Sequence, residues 1–507
     1  MTDGPLPELP LVLLSHRGPV SFDRSDAGRT ASRGAGGLVT ALSGLAGQLP
    51  DAVWVCAAAS AEDTVVVAEA EGRPVTIALQ PTVHLVEPGV DEDGPTLRMR
   101  MVDVEPERHD QFYGQISNPL LWFLQHNLYG YATEPDLTAR ERTAFEHGYV
   151  AVNQQFADVV VDMVQARGGR AVVLLHDYHF YLVGEQVRRA CPDAVLSHFI
   201  HIPWPGPDAW RLLPQDIRDR LIHGLLGNDV VAFHTRRFAR NFVLCAQELL
   251  GLPVDLDALT IHVGDRKVIA RSYPISIDVG AIEALAGSAA VQRHIGRLED
   301  QLDGMRLLLR VDRTDPSKNV VRGFRAYGQL LTDHPELAGT ITFLALLQPS
   351  RQDVTEYSDY LGLIGATVAA VNAQHGREGW QPIDLRLVDD LPLAIAAYTI
   401  CDVLMVNAVA DGMNLVAKES AIVNRNDGVL ALSENTGAFE ELGDHAVTLY
   451  PFDIQQQADA LYEALTLPAD ERATKAKAAA DVVRRNDVAA WLGAQLADLA
   501  ALRPGSG

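Results

Sequence analysis

Short apolar runs alternate with longer helical patterns along almost the whole chain, and midway the same grammar starts again. Apolar runs of strand length separated by helical stretches predict βαβ units and parallel sheets, because a parallel strand needs a crossover to bring the chain back. In the first half the predicted strands are residues 11–15, 53–57, 97–102, 171–176, 195–201 and 229–234. Helical periodicity is strongest over 140–166, 214–226 and 235–250. In the second half strands are predicted at 306–311, 340–347, 385–388, 402–407, 428–432 and 446–449, with helices at 320–332, 351–375, 391–398 and 415–424. Tyr273-Pro274-Ile275-Ser276-Ile277 and the weakly patterned stretch after it read as the connection between halves. Residues 455–502 read as an Ala-rich helical tail that stops at Arg503-Pro504-Gly505.

The fold class is therefore α/β with two doubly wound halves. The 507 residues exceed what one core serves, since single cores stop growing at about 250–300 residues. The 66 Asp and Glu outnumber the 42 Lys and Arg, for a formal net charge of −24. Such a surface repels nucleic-acid phosphates and anionic lipid, which removes both as expected partners. A few arginines can still form a positive cleft for a phosphorylated ligand. Cys56, Cys191, Cys245 and Cys401 lie far apart, without a C-x-x-C or Cys/His cluster, and read as reduced thiols. Residues 1–10 lack the basic and apolar regions of a signal peptide. No apolar run reaches the ~18 residues of a membrane span, and the expected location is the cytoplasm.

In doubly wound sheets ligands bind beyond the carboxyl ends of the strands, so motifs just after a strand carry the most weight. Gly34-Ala35-Gly36-Gly37-Leu38 follows the first strand and opens a helix, where glycines let backbone N–H groups approach an anion. An ordinary turn accounts for it nearly as well. His176-Asp177-Tyr178-His179 ends an apolar strand; Asp177 reads as a hydroxyl acceptor or as the cap of the next helix. His201, in His201-Ile202-Pro203-Trp204-Pro205, sits at another strand exit, as a ligand contact or a structural histidine. In Asp312-Arg313-Thr314-Asp315-Pro316-Ser317-Lys318, an arginine fork and a lysine five residues later can bracket a diphosphate. A solvated turn and a D-x-x-D metal site are the alternatives.

Asp411-Gly412-Met413-Asn414-Leu415-Val416-Ala417-Lys418-Glu419 is the strongest element. Gly412 permits a tight turn, and the run behind it starts a helix whose N–H groups and dipole suit a diphosphate. Glu419 lies one turn deeper, where a carboxylate can accept two ribose hydroxyls. Asp411, outside the helix, can accept sugar hydroxyls. An ordinary N-capped helix would explain Asp411 and Gly412 but not Glu419.

In this order the elements resemble the trehalose-6-phosphate synthases, retaining glycosyltransferases of family 20. The likeness runs from about residue 11 to residue 502. It rests on Ser15-His16-Arg17, Ala35-Gly36-Gly37-Leu38, YGQISNPLLW at 113–122, HDYH at 176–179, HIPWP at 201–205, Tyr273-Pro274-Ile275, DRTDPSK at 312–318, PSR at 349–351 and DGMNLVAKE at 411–419. The resemblance implies a GT-B fold, two Rossmann-like domains across a cleft. Residues 1–275 would bind the acceptor and 276–485 the nucleotide sugar, with 486–507 packing back on the first domain. It assigns glucose 6-phosphate to Arg17, Gly36, Gly37, Tyr113, Trp122, Asp177 and Arg351. It assigns the nucleotide sugar to Gly37, His201, Arg313, Lys318, Asp389, Asp411, Met413, Asn414, Leu415, Val416 and Glu419. Arg313, Lys318, Asp177 and His201 form the implied catalytic set, and no cofactor or metal is implied.

In this family transfer is held to proceed by front-face attack, the leaving phosphate taking the acceptor's proton. The chain departs from the family at four places. Gly-Trp-Ser-Gly is replaced by Cys56-Ala57-Ala58-Ala59, His16 stands where Asn is usual, Asn319 replaces a Gly, and Ala410 replaces an Arg. The Val388-Asp389-Asp390-Leu391 segment favours guanine over uracil, because a carboxylate there accepts both N1–H and N2–H₂ of guanine, while Leu346 would pack on the ring. The alternatives are a pseudoglycosyltransferase of the validoxylamine-phosphate synthase type and a catalytically silent regulatory homologue. Self-association is left open.

Overall fold

Parallel strands covered on both faces must be apolar throughout, and the strands here are. In the computed structural model, which describes residues 10–26, 28–34, 42, 51–79, 83–86, 96–130, 132–351 and 354–502, Leu11–Leu14, Val53–Ala57 and Val172–His176 are buried at every position. The chain divides into one unit of residues 1–125, 129–273 and 492–507, and another of residues 126–128 and 274–491.

The first unit is built on seven parallel strands: β1 (Leu11–Leu14), β2 (Val53–Ala57), β3 (Thr96–Val102), β4 (Val172–His176), β5 (Val195–Phe199), β6 (Val230–Phe233) and β7 (Arg266–Ser272). Their order is β7-β6-β5-β4-β1-β2-β3. Antiparallel strands extend both edges, Thr260–Val263 beside β7 and Val75–Ala78 beside β3. A hairpin of Val20–Ser25 and Gly28–Arg33 stands apart from the sheet.

The second unit carries β8 (Arg306–Arg313), β9 (Ile341–Gln348), β10 (Ile383–Leu387), β11 (Val403–Val406), β12 (Val429–Ser433) and β13 (Val447–Leu449), ordered β10-β9-β8-β11-β12-β13 and all parallel. Leu308, Phe324, Tyr327, Phe343, Ile364 and Leu461 are among the residues that fill its core. Both units thus share one winding, in which the chain steps outward one way from the first strand and then returns to continue the other way. The order reverses between β1 and β4, and between β8 and β11. Those two gaps are the crevices where ligands settle in doubly wound sheets.

Three expectations need correction. Strand β7 was not predicted, because Arg266, Lys267 and Arg271 interrupt its apolar pattern. The stretch after Ile277 is not a plain connection but holds helices Val279–Ala286 and Ala289–Leu302. The helical tail resolves into Ile454–Thr466, Ala469–Arg485 and Val488–Ala501, broken before Pro468 and at Asn486. The helix expected from residue 351 begins at Thr355. The YGQISNPLLW segment forms a wide π-helical stretch, Asp110–Trp122, with Pro119 inside it. Among the described residues no helix is long and apolar enough to cross a membrane.

Candidate functional site

In the second unit the residues beyond β8 and β11 make one construction. Arg310, fully buried in β8, donates to Asp312 at 2.9 Å, to the Lys318 carbonyl at 2.7 Å and to the Asn407 amide oxygen. It thereby fixes the turn that carries Lys318. The backbone N–H of Val409 donates to the Ser317 carbonyl at 2.8 Å and ties the two loops together. Asn319, at φ +59°, spans the gap by donating to the carbonyls of Asn407 at 2.9 Å and Pro451 at 2.6 Å. The αL conformation explains why glycine suits this position.

Lys318 donates to Asp411 at 2.5 Å, and Asn414 donates to the same carboxylate oxygen at 3.1 Å. Burial would lift the Asp411 carboxyl, but Lys318 and Asn414 outweigh it and hold it below its ordinary value. Asn414, at φ +93°, caps the helix Leu415–Val423 by accepting from the Ala417 N–H at 3.1 Å. The cap is therefore Asn414, not Asp411, which leaves Asp411 to the ion pair. Met413 is buried while Leu415 and Val416 are half-buried. Glu419 is half-buried beside the Tyr398 hydroxyl, and desolvation pushes its carboxyl up to about 7. Lys418 does not join this site: it is buried, donating to the Ile275 carbonyl at 2.9 Å and to Glu441 at 2.5 Å.

Asp315 is wholly buried and caps the turn Pro316–Lys318 by accepting from the Ser317 N–H at 2.9 Å. Its other oxygen lies 3.5 Å from Arg313, 3.5 Å from Arg351 and 3.3 Å from the Tyr357 hydroxyl. Burial pushes this carboxyl up, but Arg313, Arg351 and His126 overcome it and bring it to about 2. Asp312 pairs with Arg310 and Asp315 with two arginines, so the D-x-x-D metal reading fails: both carboxylates are already matched by cations. Arg351 stands on this unit, at φ +48°, beside Arg313. Asp389 is exposed beyond β10 and accepts from the Gln348 amide at 2.6 Å. Its neighbour Asp390 caps the helix Leu391–Ile400.

In the first unit the corresponding β1/β4 crevice is lined by rings. Ser15 accepts from the Trp54 indole at 2.8 Å and donates to the Arg17 carbonyl at 2.6 Å, which sets the turn after β1. Arg17 is exposed. His16 stacks on His179 at 4.7 Å and on Tyr113 at 4.8 Å between centroids. Trp122 packs its edge on Tyr178 at 5.6 Å. Asp177 adopts φ +72°, a conformation that costs an L-residue about 1–3 kcal/mol and recurs at functional sites. Its carboxylate accepts from the His201 N–H at 3.3 Å and makes no capping bond. His176 and His201 share a hydrogen bond of 3.0 Å between Nδ1 and Nε2.

Burial lowers the imidazoles of His16 and His176 to about 3, His198 to about 4, and His201 well below its ordinary value. All four are neutral at physiological pH. Gly36 and Gly37 lie outside the described residues. Their neighbour Gly34 leaves no room for a side chain, since a Cβ there would sit 2.3 Å from the Gly18 carbonyl oxygen. Among the described residues no group of three or more His, Cys, Asp or Glu is placed to hold a metal ion.

Sequence reasoning missed Arg310, Tyr357, Asn407 and the segment 435–438, and weighed Asp315 only as a metal ligand. That segment receives the Asp411 loop: Asp411 N–H donates to Asn435, Gly437 N–H to Asp411 and Ala438 N–H to Met413. A Cβ on Gly437 would lie 1.9 Å from the Gly412 carbonyl oxygen. A glycine after a strand was the one available signal.

The sequence profile of glycosyltransferase family 20 matches residues 10–501. A bifunctional trehalose-6-phosphate synthase/phosphatase of Thermoproteus tenax is 35% identical over 402 residues, 78% of this chain and 53% of that one. A UDP-forming α,α-trehalose-phosphate synthase of Aspergillus niger is 31% identical over 474 residues, 92% of this chain and 85% of that one. The chain thus spans about half the length of the first relative and 61% of a second, from Dictyostelium discoideum. Among solved structures, the Escherichia coli enzyme bound with UDP-2-fluoro glucose superposes with a TM-score of 0.81 at 26% identity, covering 96% of this chain and 98% of that one. A Burkholderia xenovorans synthase in complex with glucose-6-phosphate gives 0.79 at 26% identity, with 97% and 100% covered.

Proposed function

The chain belongs to glycosyltransferase family 20, and from that premise we propose that it moves glucose from a nucleoside-diphosphate glucose to glucose 6-phosphate, giving α,α-trehalose 6-phosphate. The observation that carries this reading is that Lys318, beyond β8, is joined through Asp411 to the Asn414-capped helix beyond β11, with Arg313 at the end of β8 held by Asp315. Breaking the sugar–phosphate bond places charge on the departing diphosphate. A guanidinium, an ammonium and a helix N-terminus already held in place meet that charge with no reorganisation. Glu419 accepts the ribose hydroxyls and Asp411 sugar hydroxyls. Arg17, Tyr113, Trp122, Asp177 and Arg351 take the acceptor. With the acceptor's proton passing to the leaving phosphate on one face of the sugar, the anomeric configuration is retained and no separate protein base is needed.

The donor base is the finer part of the proposal. The relatives named above include UDP-forming enzymes. Guanine is favoured here because Asp389 is exposed at the end of β10, with its carboxylate braced by Gln348. A carboxylate matches the two adjacent donors of guanine, whereas uracil offers a single N–H. Incubation of the pure protein with glucose 6-phosphate and either GDP-glucose or UDP-glucose, followed by assay of nucleotide release, tests both levels. Release with neither donor refutes the transferase reading, and faster turnover with UDP-glucose refutes the guanine preference.

A further inference from the structure

We propose that Asp315 is the positioning residue that sets Arg313 and Arg351 together, so that one buried carboxylate arranges both the cation for the donor diphosphate and the cation for the acceptor phosphate. The inference rests on the assignment of those two arginines in the function proposed above. Asp315 touches neither substrate in that reading and acts through the arginines alone.

Three observations converge on it. First, the carboxylate divides its work: one oxygen accepts from the Ser317 N–H at 2.9 Å, and the other is shared by Arg313, Arg351 and Tyr357. Second, it has no exposed surface, so two guanidiniums gather on a charge that water does not screen. Third, both arginine separations are 3.5 Å, longer than the roughly 2.7–2.9 Å of a tight charge-assisted bond. At that distance the carboxylate orients two like charges that would otherwise repel. Arg351 is further defined by the Tyr357 hydroxyl, to which it donates and over whose ring its guanidinium lies 5.3 Å from the centroid. The carboxyl held near 2 keeps its charge at every working pH.

Two roles are entangled at this residue, the cap of the Pro316–Lys318 turn and the anchor of the arginines, and one substitution separates them. Asparagine keeps an oxygen for the Ser317 N–H and caps as well as aspartate, but it carries no charge. For Asp315→Asn we expect KM to rise about tenfold or more for both the nucleotide sugar and glucose 6-phosphate, with the larger share of the loss in KM rather than kcat. For Tyr357→Phe, which removes the hydroxyl bonded to Arg351 and a 3.3 Å partner of Asp315 but leaves the Arg313–Asp315 pair in place, we expect KM for glucose 6-phosphate to rise about threefold while the donor KM stays within twofold. A role confined to the cap predicts that Asp315→Asn matches the parent, and parental KM values for either substrate overturn the proposal. If Asp315→Asn does not fold, Tyr357→Phe decides alone: an unchanged acceptor KM, or equal changes in both, overturns it. Failure of the parent protein to turn over either donor with glucose 6-phosphate is a different result, and it sinks the function on which the inference rests.

Discussion

The two crevices occupy the same place in two sheets of the same winding, yet they are built from opposite materials. The β8/β11 crevice is a lattice of charges, Arg313, Arg351, Lys318, Asp315 and Asp411, each held by a neighbour of the other sign. The β1/β4 crevice is a stack of rings in which His16, His176, His198 and His201 have lost their charge to burial. Winding decides where a ligand sits, and side chains decide what it is. A charged lattice suits a group that gains charge as it leaves. Neutral rings and the strained Asp177 suit a sugar held by shape and hydroxyl contacts.

That contrast can be broken in four ways. Arg313→Ala strikes the charged crevice directly and should lower kcat by about 10²–10³. The melting temperature should fall only modestly, because the Arg313 side chain is 35% exposed and Arg351 still faces Asp315; an active variant removes the assigned role. Gly437→Ala attacks the same crevice through packing. A Cβ 1.9 Å from the Gly412 oxygen must push the Asp411 loop away, and such overpacking costs about 1–3 kcal/mol. Calorimetry should show lower stability, and kinetics a raised donor KM with an unchanged acceptor KM.

The third test is pH. With its carboxyl near 7, Glu419 is mostly ionised at pH 8 and mostly protonated at pH 6. The donor KM should therefore rise about tenfold between those values, and Glu419→Gln should flatten the profile. Stability follows with its own sign. The folded carboxyl binds its proton more tightly than the ordinary value of 4.5, so this contribution is complete below 4.5 and is lost as pH rises through 7. The ring crevice should be silent over the same range, and imidazole NMR resonances of His16, His176 and His198 that titrate between pH 5 and 8 would erase the contrast. The smallest effect is expected of Asn319→Gly. It gives up three hydrogen bonds, each worth about 0.5–1.5 kcal/mol, and relieves the positive φ. A melting-temperature loss of a few degrees with activity retained is the expected balance.

The winding was legible because parallel strands betray themselves as unbroken apolar runs; β7 escaped because its charged residues broke that pattern. Arg313, Lys318, Asp411 and Glu419 were legible because each follows a strand or opens a helix, positions where chemistry is concentrated. Asp315 and Arg310 were not. A buried carboxylate or guanidinium looks in sequence like any surface charge, and its role appears only when partners from distant segments are placed beside it. The Asn407 that receives Arg310, for example, is 97 residues away. The cap was left open in the sequence for a local reason, since Asp411 and Asn414 are both good caps and only the backbone at Asn414 settles which serves.

Lys418 carries a consequence for heredity. It lies inside the most recognisable run of the chain, yet its ammonium is locked between Glu441 and the Ile275 carbonyl. Removing one partner from a buried ion pair costs about 3–5 kcal/mol, so selection for a folded chain preserves this letter whether or not any sugar is moved. A descendant that stopped catalysing would still spell that letter correctly. Decay of the proposed reaction should be looked for first at Arg313, whose side chain is far more exposed than that of Lys418.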